Sequence, residues 1–275
     1  MKKDINAVII GGDNRQRHLF EMQKNEFEKI SHINSGSEEK ALNEISEADV
    51  VVFPVPVSKA KGLVYTDNSD FEISKEKILQ KLKKNAVVFG GGFTAADRDF
   101  FEEEGYEYHD MLRNEAFLLE NAYLTAEGAL KLLLENTEET LFNKKALVTG
   151  YGRIAEFLSG MLYELKMKVT VAARNEVQLK TAEKKGYRTL NFNELKSLKD
   201  FDFIFNTVPS RIFSKAMLEK EGNCTYFELA SAPFGADKNE LISSKIAFVQ
   251  GASLPGRYFP VTSARLIMQY ILRFI

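Results

Sequence analysis

The residues whose types and spacing suggest chemistry lie in two glycine-marked turns. In one, Gly150-Tyr151-Gly152-Arg153-Ile154-Ala155 follows a short apolar run (146–148) and leads into an amphipathic segment (154–165). Strand, tight turn and helix in that order are what a dinucleotide pyrophosphate needs. Gly150 lets the backbone turn sharply, Gly152 removes a Cβ that would hold a phosphate away, and Ala155 lets the helix pack close to the strand. The first-turn amides then face the phosphates, with the positive end of the helix dipole behind them. Taken alone, the turn also fits an ordinary strand-to-helix junction. The next apolar run, 168–172, ends at Ala173-Arg174-Asn175, and Arg174 stands 24 residues beyond Gly150, near the place of the ribose reader in such domains. An acid there would accept hydrogen bonds from a free 2′-hydroxyl and select NAD. The planar fork of Arg174 suits a 2′-phosphate, which points to NADP, with NAD as the alternative.

The other turn, Gly11-Gly12-Asp13-Asn14-Arg15-Gln16, also follows an apolar run (5–10) and opens a helical pattern from Arg17. Its glycines are adjacent and polar groups follow them, so it reads as a different kind of binding turn. Gly12, Asp13, Arg15 and Gln16 are placed to meet a small polar ligand with helix amides and side chains together. The competing reading is a helix capped by Asp13, with solvated residues after it. Arg113 and Arg257 are further cations for an anionic ligand. For proton transfer the candidates are Glu127, His109 and Asp13, and the sequence does not choose among them; for Glu127 the favoured reading is a first-turn carboxylate on a helix dipole.

The elements that must hold these groups alternate. Apolar runs at 5–10, 48–53 and 86–89 end in the Gly11 turn, in Pro54-Val55-Pro56-Val57-Ser58 and in Gly90-Gly91-Gly92-Phe93. Prolines force an extended exit and glycines permit close approach, so three turns should gather at the carboxyl edge of one parallel sheet. A helix is expected at 74–84, a strand at 106–108, and a long helix from about Asn121 to Glu139. Beyond it, strands at 201–205, 226–229 and 246–249 carry the exits Asn206-Thr207-Val208-Pro209-Ser210, Ala230 to Gly235, and Gly251 to Arg257. A short helix is expected at 193–198 and an amphipathic one at 261–275. Thr207, Val208 and Pro209 fall where the nicotinamide ribose passes, beside Gly150, Tyr151, Gly152, Arg153, Ile154, Arg174 and Asn175 in the cofactor set. The fold class is α/β, two Rossmann-like domains with a cleft between them and a doubly wound parallel sheet in the cofactor domain. The expected division is 1–126 for a substrate domain, 127–256 for the NADP-binding domain, and 257–275 for a helix returning to the first.

At 275 residues the chain can bury a sizeable core and form two domains. A net charge of −2, with neither a basic tract nor an acidic tail, gives no electrostatic reason to expect nucleic acid or an anionic membrane as partner. No apolar stretch approaches the ~20 residues of a membrane span, and a cytoplasmic location is expected. His18, His32 and His109 are too scattered for a metal site. Cys224 is the only cysteine, which excludes an internal disulfide, and it reads as a structural thiol.

Six local motifs, in order, resemble the dipicolinate synthase A-subunit family. They are the Gly11 to Gln16 turn, Thr125-Ala126-Glu127-Gly128-Ala129, Gly150-Tyr151-Gly152-Arg153 with Ala173-Arg174-Asn175, Asn206 to Ser210, Glu228-Leu229-Ala230-Ser231, and Leu254-Pro255-Gly256. The family's Ala-Ser-Arg-Pro-Gly-Gly is Ala230-Ser231-Ala232-Pro233-Phe234-Gly235 here, and its Ala-Pro-Lys-Thr-Ala-Gly is Phe259-Pro260-Val261-Thr262-Ser263-Ala264, so a basic residue is missing from each; Arg257 and Arg265 stand nearby. The resemblance implies an NADP dehydrogenase that forms dipicolinate from dihydrodipicolinate or its hydrated precursor. It also implies a partner, the flavoprotein-like B-subunit of dipicolinate synthase, and the mother cell of a sporulating bacterium as location. Self-association is left open. Two rival readings share the architecture: an NAD(P) dehydrogenase of another hydroxy or keto acid, and a non-catalytic NADP sensor.

Overall fold

The computed structural model describes residues 2–24, 27–58, 62–218, 224–244 and 246–275. The chain forms two compact units, one of Met1–Asn121 with Gly256–Ile275 and one of Ala122–Pro255.

The first unit runs β1 (Lys2–Ile10), α1 (Asn14–Gln23), β2 (Phe27–Ile33), α2 (Glu38–Ile45), β3 (Val50–Val52), α3 (Lys75–Leu79), β4 (Val87–Gly90), α4 (Ala95–Glu104) and β5 (Glu107–Asp110). Its five strands lie in the order β2-β1-β3-β4-β5, all parallel. Strand order reverses between β1 and β3, and ligands of open α/β sheets bind at the carboxyl end of such a switch point. Val8, Ile10, Val51, Phe53, Val88 and Phe101 are buried in its core, each contributing roughly 1.5–3 kcal/mol by leaving water.

Helix α5 (Glu115–Glu135) passes from the first unit to the second, which continues with β6 (Lys145–Thr149), α6 (Arg153–Glu164), β7 (Lys168–Ala173), α7 (Glu176–Lys184), β8 (Arg188–Asn191), β9 (Phe203–Asn206), α8 (Lys215–Leu218), β10 (Thr225–Glu228), α9 (Lys238–Ser243) and β11 (Ala247–Gln250). The six strands are parallel in the order β11-β10-β9-β6-β7-β8. This is the doubly wound order of dinucleotide-binding sheets, with the switch point between β6 and β9. Helices α10 (Leu254–Tyr258) and α11 (Pro260–Ile271) complete the chain, and α11 lies against α1, where Gln23 Nε2 is 2.7 Å from Met268 Sδ.

Several expected elements shift. The long helix begins at Glu115, not Asn121, and ends at Glu135, where Asn136 turns its side chain back to the Leu132 carbonyl at 2.8 Å and competes with further helix. The helix expected at 193–198 is a single tight turn, Phe192–Glu194, held by reciprocal bonds of Asn191 and Glu194. Strands β2 and β8 were not anticipated. Both are edge strands, and β2 is mostly half-exposed or exposed. Among the described residues, no helix is long and apolar enough to cross a membrane.

Candidate functional site

The three turns of the first unit do gather at one sheet edge. Arg15 Nη2 donates to the Val55 carbonyl at 2.7 Å, and Val57 N donates to Gly91 O at 2.8 Å, tying the β1, β3 and β4 exits together. Asp13 is the N-cap of α1 and forms a reciprocal capping box with Gln16, which engages the orphan amides of that helix end. Its carboxylate also accepts from Arg15 Nε and Nη2, each at 2.8 Å, in a fork-to-fork pair that is nearly inaccessible to water. Burial pushes the Asp13 carboxyl up, but the hydrogen bonds and charge of Arg15 outweigh it and hold the group below the usual carboxylate range. A Cβ on Gly12 would collide with the Gln16 side chain, and one on Gly256 would come within 2.7 Å of Asp13 Oδ2. The turn is therefore filled by its own side chains. The amide nitrogen of Gln16, wholly buried, has no hydrogen-bond partner among the described residues.

The Gly150 turn of the second unit is built the other way. Gly150 takes φ 78°, the left-handed region that glycine enters without penalty, and its N–H donates to Ala172 O at 2.8 Å. A Cβ there would meet Val208 Cγ2 at 2.8 Å and Thr207 Oγ1 at 3.0 Å, so the β6 and β9 exits touch at this glycine. Gly152 is the N-cap of α6 and supplies no side-chain cap. The position of its missing Cβ faces open space, with no neighbouring atom within 4 Å. An uncapped helix end opening on space through a glycine fits a pyrophosphate. Tyr151 turns inward: its ring is buried against Tyr187, and desolvation, with nearby Tyr187 and Glu156, pushes its hydroxyl up to about 12. What it offers a ligand is backbone. Arg153 and Ile154 begin α6. At the end of β7, Arg174 is exposed with no hydrogen bond or ion pair among the described residues, while Asn175 Oδ1 caps α7 through Val177 N at 2.8 Å.

The exit of β9 holds the remaining cofactor candidates, Thr207, Val208 and Pro209, and Thr207 Oγ1 donates to Thr149 O at 2.7 Å. Behind them lies a group that the sequence reading passed over as a site. Thr149, Asn206 and Glu228 are register partners at the ends of β6, β9 and β10. Each is a polar residue closing an apolar strand, and that shared position was the available signal.

The proton-transfer candidates have different surroundings. Asp13 is engaged by Arg15. His109 stacks on Phe274 with ring centroids 3.8 Å apart, and its Nε2 lies 2.9 Å from Glu107 Oε1. Glu127 is half-buried in the middle of α5, so the first-turn dipole reading falls away; it has no partner among the described residues. Arg113 and Arg257 are exposed in the first unit, and Arg257 lies over the Tyr258 ring at 4.8 Å.

Residues 6–112 match the model of the dipicolinate synthase A-subunit N-terminal domain. A curated Bacillus subtilis protein, the dipicolinate synthase A-subunit, is 26% identical over 97% of this chain and 94% of its own length. Over nearly its whole length the chain is similar to the dipicolinate synthase A-subunit. Residues 98–222 match the NAD binding domain of D-isomer specific 2-hydroxyacid dehydrogenases. The crystal structure of the dipicolinate synthase A-subunit from Bacillus halodurans superimposes with a TM-score of 0.84 at 20% identity, covering 99% of this chain and 98% of that one. The Bacillus subtilis structure gives 0.79 at 22%, covering 98% and 95%. D-lactate dehydrogenase from Escherichia coli gives 0.69 at 14%, covering 98% and 96%. These last likenesses are of fold. The domain match and the open Gly152 turn make the second unit the nicotinamide dinucleotide-binding domain of an NAD(P)-dependent oxidoreductase.

Proposed function

We propose that this chain is an NADP-dependent dehydrogenase that forms dipicolinate from dihydrodipicolinate or its hydrated precursor, working with a second, different polypeptide. The end-to-end similarity to the dipicolinate synthase A-subunit carries the reading. A nicotinamide dinucleotide whose pyrophosphate is held at the Gly150 turn would supply the two-electron oxidant for this reaction, and aromatisation of the substrate ring, which releases a proton, supplies much of the driving force.

The chain's own residues have separate tasks in this reading. The α6 amides and Gly152 hold the pyrophosphate, and Gly150, Tyr151, Arg153 and Ile154 shape that turn. Arg174 binds the 2′-phosphate, Asn175 fixes the start of the next helix, and Thr207, Val208 and Pro209 line the ribose. Residues 1–126 serve as the substrate domain, 127–256 as the cofactor domain, and 257–275 return to the first. Gly12, Asp13, Arg15 and Gln16 contribute a rigid polar floor to the substrate site, with Arg113 and Arg257 as its exposed cations. Glu127 is the most available of the proton-transfer candidates, since Asp13 and His109 are already engaged.

NADP over NAD rests on the unpaired guanidinium of Arg174 at a strand end whose neighbour, Asn175, is committed to capping. Arg174→Ala should weaken NADP binding at least about tenfold more than NAD binding in paired titrations. Equal losses refute the assignment. Incubating the protein, with and without the B-subunit, with NADP and a dihydrodipicolinate-generating mixture should yield the pyridine product. Turnover only of a hydroxy acid, or tight NADP binding without any turnover, excludes the dipicolinate reading.

A further inference from the structure

Glu228 is fully buried, yet no cation reaches it among the described residues. Four neutral donors meet its carboxylate instead. Oε1 accepts from Asn206 Nδ2 at 2.6 Å and from Ala230 N at 3.1 Å, and Oε2 accepts from the Tyr226 hydroxyl at 2.9 Å and from Gly235 N at 3.0 Å. A buried carboxylate without a counter-ion is costly and persists only where its lone pairs are satisfied. The surroundings are shaped for it. A Cβ on Gly235 would come within 2.6 Å of the Asn206 side chain and 2.7 Å of the Tyr226 hydroxyl.

The consequence passes through Asn206. An amide side chain can present its oxygen or its nitrogen in either direction, and the Glu228 acceptor decides which. With Nδ2 aimed at Glu228, the amide oxygen must face the other way, where it accepts from Thr149 Oγ1 at 2.7 Å and from Val208 N at 3.2 Å. Nδ2 also donates to Val208 O at 3.0 Å. Both backbone polar groups of Val208 are thus held by one side chain, and the adjacent Thr207 hydroxyl bonds to Thr149 O beside Gly150.

We infer that Glu228 is a positioning residue for the dinucleotide turn, acting as the acceptor that locks the Asn206 amide in one orientation and so pins residues 207–209 against the Gly150 turn. The inference rests on the reading of those residues as cofactor-lining. It assigns the task to acceptor geometry and not to charge. In Glu228→Gln the retained oxygen still faces Asn206 and Ala230, and the new NH2 donates to the Tyr226 oxygen, leaving only Gly235 N–H without an acceptor. In Glu228→Met every acceptor is gone.

Amide hydrogen exchange of the ligand-free protein reads this directly, because the Val208 N–H is one of the locked groups. Glu228→Met should speed exchange at Val208 by at least about tenfold while the β6 and β7 core amides keep their protection. Glu228→Gln should stay within about threefold of the parent chain, and dinucleotide affinity should fall in the same order. Should the methionine variant fail to fold, Asn206→Asp breaks the link from the other side, setting an acceptor against an acceptor, and should give the same local signature. Unchanged Val208 exchange, uniform acceleration across the sheet, or a glutamine variant as fast as the methionine variant overturns the inference. A parent chain that binds no nicotinamide dinucleotide would instead refute the functional reading, and the exchange result would still decide whether the lock exists.

Discussion

The two units carry the same device, a glycine turn at the switch point of a parallel sheet, and finish it in opposite ways. In the first, the α1 end is capped by Asp13, the Asp13 carboxylate is neutralised by Arg15, and the Gln16 side chain fills the space beside Gly12. In the second, the α6 end has no side-chain cap and Gly152 faces open space. The buried charges differ in parallel: an ion pair in the first, a carboxylate held by neutral donors in the second. A strand-glycine-helix pattern alone therefore does not make a phosphate site. What counts is whether the chain itself already occupies the helix end.

The comparison breaks most visibly at the filled turn. Asp13→Asn leaves the buried Arg15 guanidinium without its counter-charge, and chemical denaturation should show a loss of roughly 3–5 kcal/mol. A loss below about 1 kcal/mol would mean that the pair is not the keystone of that edge. The next test converts the open turn into the filled kind. Gly152 has φ −89° and ψ −174°, which any residue can adopt, so Gly152→Asp should leave stability unchanged within a few tenths of a kcal/mol. Its carboxylate would occupy the α6 amides and repel phosphate, weakening dinucleotide binding by about 100-fold in a calorimetric titration. Undiminished binding would place the pyrophosphate elsewhere.

A smaller effect sharpens the contrast through pH. The Asp13 carboxyl lies below its ordinary 3.8, so its stabilising contribution is intact above that value and is lost as pH falls through the lower folded-state value. Burial raises the Glu228 carboxyl above its ordinary 4.5, against the pull of Asn206, Gly235, Tyr226 and Ala230. Its sign is opposite: the contribution is full below 4.5 and fades as pH rises through the raised value. Denaturation curves from pH 7 down to pH 3 should therefore show the second unit firming before the first gives way. Glu228→Gln should abolish the early gain, and Asp13→Asn the late loss. The reverse assignment would mean that the two carboxyls have exchanged roles.

Much of this was legible in the sequence, for a physical reason. Strands buried on both faces read as short apolar runs, so β1, β3, β4, β6, β7, β9 and β10 were visible, as was the apolar edge strand β11, and each glycine or proline exit marked a carboxyl end. Edge strands β2 and β8 face solvent on one side, and sequences such as Phe27-Glu28-Lys29-Ile30-Ser31-His32-Ile33 carry too many polar residues to be found that way. The Gly150 turn was recognisable because its spacing is local. The Thr149, Asn206 and Glu228 relay was not, because those residues are far apart in the chain and meet only through strand register. Nor could the sequence tell that Asp13 and Arg15 neutralise each other; residue types two apart on a turn fit both a ligand site and an internal pair.

Cys224 is buried in the core of the second unit, and burial pushes its thiol up to about 11. Near neutral pH only about one molecule in ten thousand carries the reactive thiolate, so a thiol reagent labels the folded chain very slowly. As the chain's only cysteine, it makes labelling rate a built-in clock for the opening of the cofactor-binding half alone, readable without adding a probe.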